Sequence, residues 1–145
     1  MVKIKRDEEN SDLPLPTKMS EGASGYDIFA AVKENVVIKP AEIALIPTGF
    51  SLEIPAGYEA QIRPRSGLAI KHGISLVNTP GTIDADYRGE VKLIIINHGQ
   101  DAFTIKRGDR VAQMVFVELP AIRLVEDDEL KLTDRGAGGF GHTGL

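Results

Sequence analysis

The sequence predicts an all-β fold in one domain, and three observations lead to that prediction. Short runs rich in β-branched residues recur along the chain, as in VKLIIIN at 91–97. Segments with turn chemistry, such as Asn78 to Gly81, separate these runs. The chain has 145 residues, a length that suits one domain with a sizeable core. This regular spacing of strands and turns favours a β sandwich or jelly roll.

The predicted strands follow one another with short connections. Runs with strand composition cover residues 36–38, 43–47, 50–54, 58–63, 74–78, 91–97, 103–106, 111–119 and 122–125. One short helix is predicted within Leu68 to His72, with Ser66 as its N-cap and Gly73 as its C-terminal stop. Residues 1–12 are polar and are expected to be loosely held. The predicted organisation is a β domain at 1–134 and a flexible, glycine-rich arm at 135–145.

The composition argues against several classes of protein. The absence of cysteine rules out disulfides, thiolate nucleophiles and cysteine-bound zinc. A formal net charge of −4 argues against nucleic-acid binding, which usually needs a basic excess. No apolar run is long enough to cross a membrane, so we expect a soluble, cytoplasmic protein without a membrane partner. The histidines lack metal-ligand spacing, so a histidine zinc site is not predicted.

An anion site is one of two interpretations of PRSGLA at 64–69. Arg63 lies just before this segment and Arg65 is its second residue. The first N–H groups of the predicted helix would favour a bound anion. The alternative is a capped helix that only connects two strands. The segment alone leaves both interpretations open.

The segment GTIDADYRGE at 81–90 concentrates carboxylates, a tyrosine and an arginine. Its start resembles a calcium-binding EF-hand loop, but the fifth position is Arg88 and the twelfth is Ile95. Without the bidentate glutamate at the twelfth position, calcium binding by this route is excluded. Two interpretations remain: a charged turn without a function, or carboxylates placed for acid–base chemistry.

The last residues, RGAGGFGHTGL at 135–145, resemble a phosphate-binding loop. They differ by one letter from the pattern G-x-x-x-x-G-K-[ST], because His142 stands at the lysine position. An arm with Arg135 and Phe140, together with scattered arginines and the carboxylate turn, favours a small phosphorylated ligand over a polymer.

Taken together, these stretches resemble the trimeric deoxyuridine triphosphate nucleotidohydrolases, or dUTPases. Five motifs of that family occur in family order: SGYDIFA at 24–30, PRSGLA at 64–69, NTPGTIDADYRGE at 78–90, RGDRVAQM at 107–114 and RGAGGFGHTG at 135–144. The resemblance implies a β jelly roll, a homotrimer with active sites at subunit boundaries, and hydrolysis of dUTP to dUMP and pyrophosphate. It also implies a Mg²⁺ cofactor, held mainly by the triphosphate and water rather than by protein side chains.

The resemblance assigns catalytic and phosphate-binding residues. Asp84 matches the residue that orients and activates the attacking water. Asp86 is a supporting carboxylate, and Asp27 matches a carboxylate with a structural or arginine-positioning role. The residues that match phosphate contacts are Arg65, Ser66, Gly67, Lys92, Gln113 and Arg135.

Substrate selection is assigned mainly to the 78–90 segment. The edge that reads uracil matches the side chain of Asn78 and the backbone of Gly81, Thr82, Ile83 and Asp84. Tyr87 is expected to pack against deoxyribose and to leave no room for a 2′-hydroxyl. In the arm, which closes over a neighbouring subunit's site, Phe140 stacks on uracil and is followed by Gly141.

Two other functions stay open from the sequence. One is a dCTP deaminase, or a bifunctional deaminase and pyrophosphatase, of the same superfamily. The other is a dUTPase-like module without catalysis that binds a regulatory protein. The five motifs in order favour the hydrolase.

Overall fold

Two four-stranded antiparallel sheets and a two-stranded ribbon make up the fold. The computed structural model describes residues 1–140. Its elements are β1 (Lys3–Arg6), a 3-10 helix (Glu8–Asn10), β2 (Tyr26–Phe29), β3 (Val36–Ile38), β4 (Ile43–Glu53), β5 (Tyr58–Arg63), α1 (Ser66–His72), β6 (Ile74–Leu76), β7 (Gly81–Ile83), β8 (Glu90–Asn97), β9 (Phe103–Ile105) and β10 (Arg110–Glu118). The predicted all-β fold is confirmed.

The order of strands differs from their order in the chain. One sheet has the order β1-β4-β8-β6, the other has β2-β10-β5-β7, and β3 pairs with β9 in the ribbon. Neighbouring strands are therefore distant in sequence, as in a jelly roll. This arrangement brings β2, β5 and β10 side by side, and these three strands carry or precede most of the basic side chains considered below.

The two sheets share one hydrophobic core. Along β8, the side chains of Val91, Leu93 and Ile95 are almost completely buried, whereas Lys92 is exposed and Ile94 is only partly buried. This alternation follows from the two-residue repeat of a strand. A register slip by one residue would bring Lys92 into the core, so burial fixes the register of β8.

Asn97 is a buried polar residue whose side chain is fully hydrogen-bonded. Its Nδ2 donates to the carbonyl oxygens of Ile38 and Asp101, both at 2.8 Å, and its Oδ1 accepts from the N–H of Gly99 at 2.8 Å. A buried amide without partners would be destabilising. Asn97 instead joins the end of β8 to β3 and to the turn that follows.

The helix α1 begins at Ser66, two residues before the predicted helical segment at Leu68 to His72. Arg65 occupies the N-cap position without a side-chain cap, so the expectation that Ser66 is the N-cap is wrong. Gly73 is confirmed as the stop: its φ is +68°, and its N–H bonds to the carbonyl oxygen of Ala69. Glycine adopts this left-handed conformation without strain. Within residues 1–140, no helix has the length and apolar character needed to cross a membrane.

Several strand predictions needed correction. The run 122–125 is not a strand; Ile122, Leu124 and Val125 are exposed. The expectation that the N-terminal residues are loosely held is wrong for β1, which pairs with β4 from Lys3 opposite Glu53 to Arg6 opposite Phe50. The predicted strands 43–47 and 50–54 form one strand, β4, with an irregular register against β8 after Pro47. β2 and β7 were not predicted from the sequence, because both are short and depend on tertiary pairing.

Arg107 fastens the N-terminal segment to the turn before β10. Its Nε and Nη2 donate to the two carboxylate oxygens of Asp12 at 3.0 and 2.7 Å, and Nη2 also donates to Asn10 Oδ1 at 3.0 Å. This paired geometry is the strongest form of a side-chain ion pair. The hydrogen bonds from Arg107 lower the pKa of Asp12 below its ordinary value.

We expect the Asp12–Arg107 pair to stabilise the fold in a pH-dependent way. Because the pKa of Asp12 is lowered in the folded state, its contribution is present above the ordinary carboxyl pKa of about 3.9. The contribution is lost as pH falls through the lower folded-state pKa. Asp12→Asn should therefore unfold at a lower temperature than the wild type at pH 7, and the two curves should converge towards pH 3.

Thermal unfolding between pH 3 and pH 7 measures this difference. The exposed residue Asp101 provides the matched control, since Asp101→Asn removes a carboxylate outside the pair. A difference between Asp12→Asn and the wild type that stays constant down to pH 3 would contradict the assignment.

Candidate active site

Asp27 joins two arginines that are far apart in sequence. Asp27 lies on β2, Arg65 immediately precedes α1, and Arg110 begins β10. Asp27 Oδ1 is 3.3 Å from Arg65 Nε, and Asp27 Oδ2 accepts from Arg110 Nη1 at 3.1 Å. Arg65 Nη1 also donates to the carbonyl oxygen of Arg110 at 2.8 Å. We call Asp27, Arg65 and Arg110 the arginine cluster.

The arginine cluster combines a buried carboxylate with two partly accessible guanidinium groups. Asp27 is 9 % exposed, while the side chains of Arg65 and Arg110 are 26 % and 43 % exposed. Two positive charges share one negative charge, so the cluster keeps a positive excess. Each guanidinium has five N–H donors, more than its contacts here use. Fixed arginines with free donors are well suited to bind phosphate.

A cleft of about 540 Å³ opens beside the arginine cluster. Arg65 and Arg110 line it together with Leu68, His72 and Lys106. Arg65 was predicted from the sequence to contact phosphate, whereas Arg110 was seen in its motif but was given no role. Its position in the RGDRVAQM motif was the available signal, but its ion pair with Asp27 spans 83 residues.

Ser66 and Gly67 form the first turn of α1 and are exposed. By helix geometry, the first N–H groups have no carbonyl partner inside the helix. Both residues directly follow Arg65, so they lie next to the arginine cluster. Arg63 does not join it, since its Nη2 donates to Gln61 Oε1 at 2.6 Å.

Gln113 lies on β10 between its two neighbouring strands, opposite Asp27 on β2 and Arg63 on β5. Its Nε2 donates to the carbonyl oxygen of Pro64 at 2.9 Å. Gln113 and Pro64 line a second cleft of about 460 Å³, together with Thr79 and Pro80. Asn78 precedes this pair and is exposed.

A separate pocket of about 250 Å³ lies at residues 81–90, the connection between β7 and β8, which we call the hairpin although its two strands lie in different sheets. Asp84, Tyr87 and Lys92 line it, with Thr82 and Ile83 from β7. The first three residues of the hairpin, Gly81–Ile83, form β7 and pair with β5, which corrects the prediction of a simple turn. We call this cavity the hairpin pocket. Asp86 is exposed and is not one of its lining residues.

Hydrogen bonds within the hairpin hold Tyr87 in place. Its Oη donates to the carbonyl oxygen of Glu90 at 3.0 Å, and its N–H donates to the carbonyl oxygen of Asp84 at 3.2 Å. Arg88 Nη1 donates back to the carbonyl oxygens of Ala85 and Tyr87 at 2.6 and 2.9 Å. The tip of the hairpin is therefore ordered by its own side chains.

Glu90 positions Lys92 at the wall of the hairpin pocket. Glu90 Oε2 is 3.4 Å from Lys92 Nζ. Its other oxygen, Oε1, accepts from the N–H groups of Thr48 and Gly49 at 3.2 and 3.0 Å. Glu90 was not predicted to belong to the site, because its partners on β4 are more than 40 residues away in sequence.

The predicted site residues thus form two groups on one chain. Arg65, Ser66, Gly67 and Gln113 lie near Asp27, whereas Thr82, Ile83, Asp84, Tyr87 and Lys92 line the hairpin pocket. The cleft at the arginine cluster and the hairpin pocket share no lining residue. The chain therefore presents two partial sites.

The arm residues lie outside both groups. Arg135 Nε donates to the carbonyl oxygen of Gly138 at 2.9 Å, and Phe140 is fully exposed. Gly141 lies outside the residues that the structure describes. Among residues 1–140, no group of three His, Cys, Asp or Glu side chains could hold a metal ion.

The fold and the two groups define a class of protein. A β jelly roll with fixed arginines, and with a pocket that combines a carboxylate and a tyrosine, is suited to bind a small phosphorylated ligand with a ring.

The family follows from comparison with known proteins. The dUTPase family model matches residues 11–144, and the chain belongs to the dUTPase family.

Curated relatives match over nearly the full length. The chain is 58 % identical over 145 residues to the deoxyuridine 5'-triphosphate nucleotidohydrolase of Caldanaerobacter subterraneus subsp. tengcongensis, covering 100 % of this chain and 98 % of that protein. It is 52 % identical over 146 residues to the enzyme of the same name from Caulobacter vibrioides, covering 99 % and 94 %.

Solved structures of phage proteins share the fold. The dUTPase of Staphylococcus bacteriophage 80alpha, solved with dUPNHPP, superposes with a TM-score of 0.88 at 26 % identity, covering 100 % of this chain and 99 % of that chain. A mutant dUTPase from phage phi11 of S. aureus, solved with a structural Mg(II) ion, has a TM-score of 0.79 at 26 % identity, covering 91 % and 99 %.

We expect Asp27→Asn to destabilise the fold and loosen both arginines. The amide keeps the shape of the carboxylate but removes the charge that two guanidinium groups share. Loss of charge-assisted hydrogen bonds should lower the free energy of unfolding by about 1–3 kcal/mol. Urea unfolding measures the change, with Asp101→Asn as the exposed control. Equal stability of Asp27→Asn and the control would show that the cluster does not depend on this charge.

Proposed function

We propose that this protein hydrolyses dUTP to dUMP and pyrophosphate, with Asp84 activating the attacking water. The observation that carries the proposal is that Asp84 and Tyr87 line one pocket of a dUTPase-family chain. One side chain can accept a proton and the other offers a flat apolar surface. Removal of dUTP keeps uracil out of DNA, and the product dUMP supplies thymidylate synthesis.

The arginine cluster and its neighbours are proposed to bind the triphosphate. Arg65, Ser66, Gly67 and Gln113 supply guanidinium, hydroxyl, backbone and amide donors, and Lys92 supplies a further charge. Phosphoryl transfer has little covalent chemistry for the protein to perform, so positioning and charge neutralisation dominate. Asp27 contributes by holding Arg65 in place.

Asp84 is proposed to orient a water molecule and accept its proton. The water oxygen forms a new bond to phosphorus while the bond to the pyrophosphate oxygen breaks, and pyrophosphate leaves. Asp84 is exposed at the pocket, so a water molecule can reach it. Asp86 is a supporting carboxylate on the same turn. A positioned base contributes roughly 10²–10⁴-fold to such a reaction.

Selection of the substrate is proposed to come from the hairpin. The side chain of Asn78 and the backbone of residues 81–84 hydrogen-bond the edge of uracil. Tyr87 packs against deoxyribose where a 2′-hydroxyl would otherwise fit. Buried polar groups left without partners penalise the wrong nucleotide.

Mg²⁺ is the proposed cofactor and would be held mainly by the triphosphate and water. Mg²⁺ usually keeps several waters and binds through one or two carboxylates together with substrate phosphates. The residues described fit this mode, since they offer exposed carboxylates but no cluster of three metal ligands. When bound, the cation neutralises charge on the phosphates. The cytoplasmic location remains a prediction from the sequence.

A homotrimer with shared sites is proposed to unite the two groups. The outer face of the β4–β8 pair is apolar, with Ile43 opposite Ile96 and Leu45 opposite Ile94. Ile43 and Leu45 are 56 % and 60 % exposed, which supports burial of this face between subunits. The arm, with Arg135, Phe140 and Gly141, would then close over a neighbouring subunit's site.

Pyrophosphate release with Mg²⁺ tests the function, with dUTP, dTTP, dCTP, UTP and dATP offered in parallel. We expect release from dUTP alone. Asp84→Asn should lower kcat by at least roughly 10²-fold while calorimetry shows retained dUTP affinity, because the amide keeps the shape but not the base. Asp101→Asn serves as the control.

Four results that differ from these expectations would each count against part of the proposal. Activity on all five nucleotides would overturn the specificity argument, and ammonia from dCTP would indicate a deaminase. A fully active Asp84→Asn variant would refute the role of Asp84. No activity on any nucleotide would favour a binding role.

We expect removal of residues 135–145 to leave the fold and the trimer intact but to lower kcat/KM for dUTP by roughly tenfold to a hundredfold. The reason is that the arm contributes charge, stacking and exclusion of water around the substrate. Steady-state kinetics and sedimentation measure the two effects, with the exposed substitution Lys131→Ala as the control. Unchanged kinetics of the shortened chain would refute a closing arm.

A further inference from the structure

Gly89 lies directly against the ring of Tyr87. A Cβ atom at Gly89 would be 2.6 Å from Tyr87 Cζ and 3.0 Å from Cε2, and closer still to Oη. The three nearest atoms all belong to Tyr87. Because the φ angle of Gly89 lies outside the left-handed region, the backbone does not require glycine there. Glycine is required there because the tyrosine ring occupies the space that a side chain would need.

Contacts of the hairpin hold Tyr87 on the other sides. Its Oη donates to the carbonyl oxygen of Glu90, the residue after Gly89, at 3.0 Å. Its own carbonyl oxygen accepts from Arg88 Nη1 at 2.9 Å. The ring thus lies across Gly89, where it lines the hairpin pocket and stays 44 % exposed. Its position is set by how closely it can approach the backbone at Gly89.

We propose that Gly89 is a specificity-determining residue that acts through Tyr87. The absence of a side chain at Gly89 lets the tyrosine ring lie close to the hairpin, at the depth where it excludes a 2′-hydroxyl. A methyl group at Gly89 displaces the ring and separates Oη from the Glu90 carbonyl. The inference rests on the proposed function, in which Tyr87 packs against deoxyribose.

The expected result is a loss of sugar discrimination in Gly89→Ala. A displacement of the order of one methyl group changes discrimination by about tenfold or more, so the ratio of kcat/KM for dUTP to that for UTP should fall by about this factor. The ratio of dUMP to UMP affinity, measured by calorimetry, should fall in parallel and does not depend on turnover. Gly22→Ala is the matched control, since a Cβ there meets no atom within 4 Å.

A double-variant cycle separates this role from a merely structural one. Tyr87→Ala should lower the affinity ratio by itself, and adding Gly89→Ala to Tyr87→Ala should change it less than about twofold, because the residue through which Gly89 acts is gone. A further large fall in the double variant would overturn the proposal. So would an unchanged ratio in Gly89→Ala.

Folding is checked by thermal unfolding and sedimentation of every variant. If Gly89→Ala alone does not fold, the double variant is the test. When only the Tyr87 ring clashes with the new methyl group, the double variant folds as Tyr87→Ala does. A double variant that does not fold overturns the proposal. Failure of the proposed function is distinguishable, because the wild type would then show no preference for dUTP over UTP. A wild-type preference that survives in Gly89→Ala overturns only the role of Gly89.

Discussion

The arginine cluster depends on the carboxylate of Asp27, which pairs with both Arg65 and Arg110. Two guanidinium groups this close would repel each other strongly in a partly buried site. The shared carboxylate turns that repulsion into two ion pairs, at 3.3 and 3.1 Å. It also joins β2, the start of α1 and β10 at one point. A positively charged surface thereby becomes a fixed part of the fold, prepared before any ligand arrives.

The hairpin is also held in place before any ligand binds, mainly by hydrogen bonds to its own backbone. Tyr87 and Arg88 donate to carbonyl oxygens of the hairpin itself, so the turn between β7 and β8 is ordered by its own contacts. Glu90 links this unit to β4 through the N–H groups of Thr48 and Gly49. The local hydrogen bonds of the turn and the bonds from Glu90 to β4 together fix the position of Tyr87 relative to Asp84.

The sequence predicted the parts of the molecule whose information is local. The strand at 91–97 was predicted because the run is rich in β-branched residues and lies between turn segments, and Asp84 and Tyr87 were placed together because they are neighbours in the chain. β1 was missed because its charged residues form an edge strand that only pairing with β4 orders. The run 122–125 has strand composition but pairs with no strand among residues 1–140. Arg110 and Glu90 were given no role in the site because their partners are far away in sequence.

The separation of the arginine cluster from the hairpin pocket has a genetic consequence. Under the proposed sharing of sites between subunits, each complete site draws its two halves from different chains. A chain with a damaged hairpin and a chain with a damaged arginine cluster would each be inactive alone. Mixed in one trimer, they would rebuild some intact sites, so two defective alleles of this gene could complement each other.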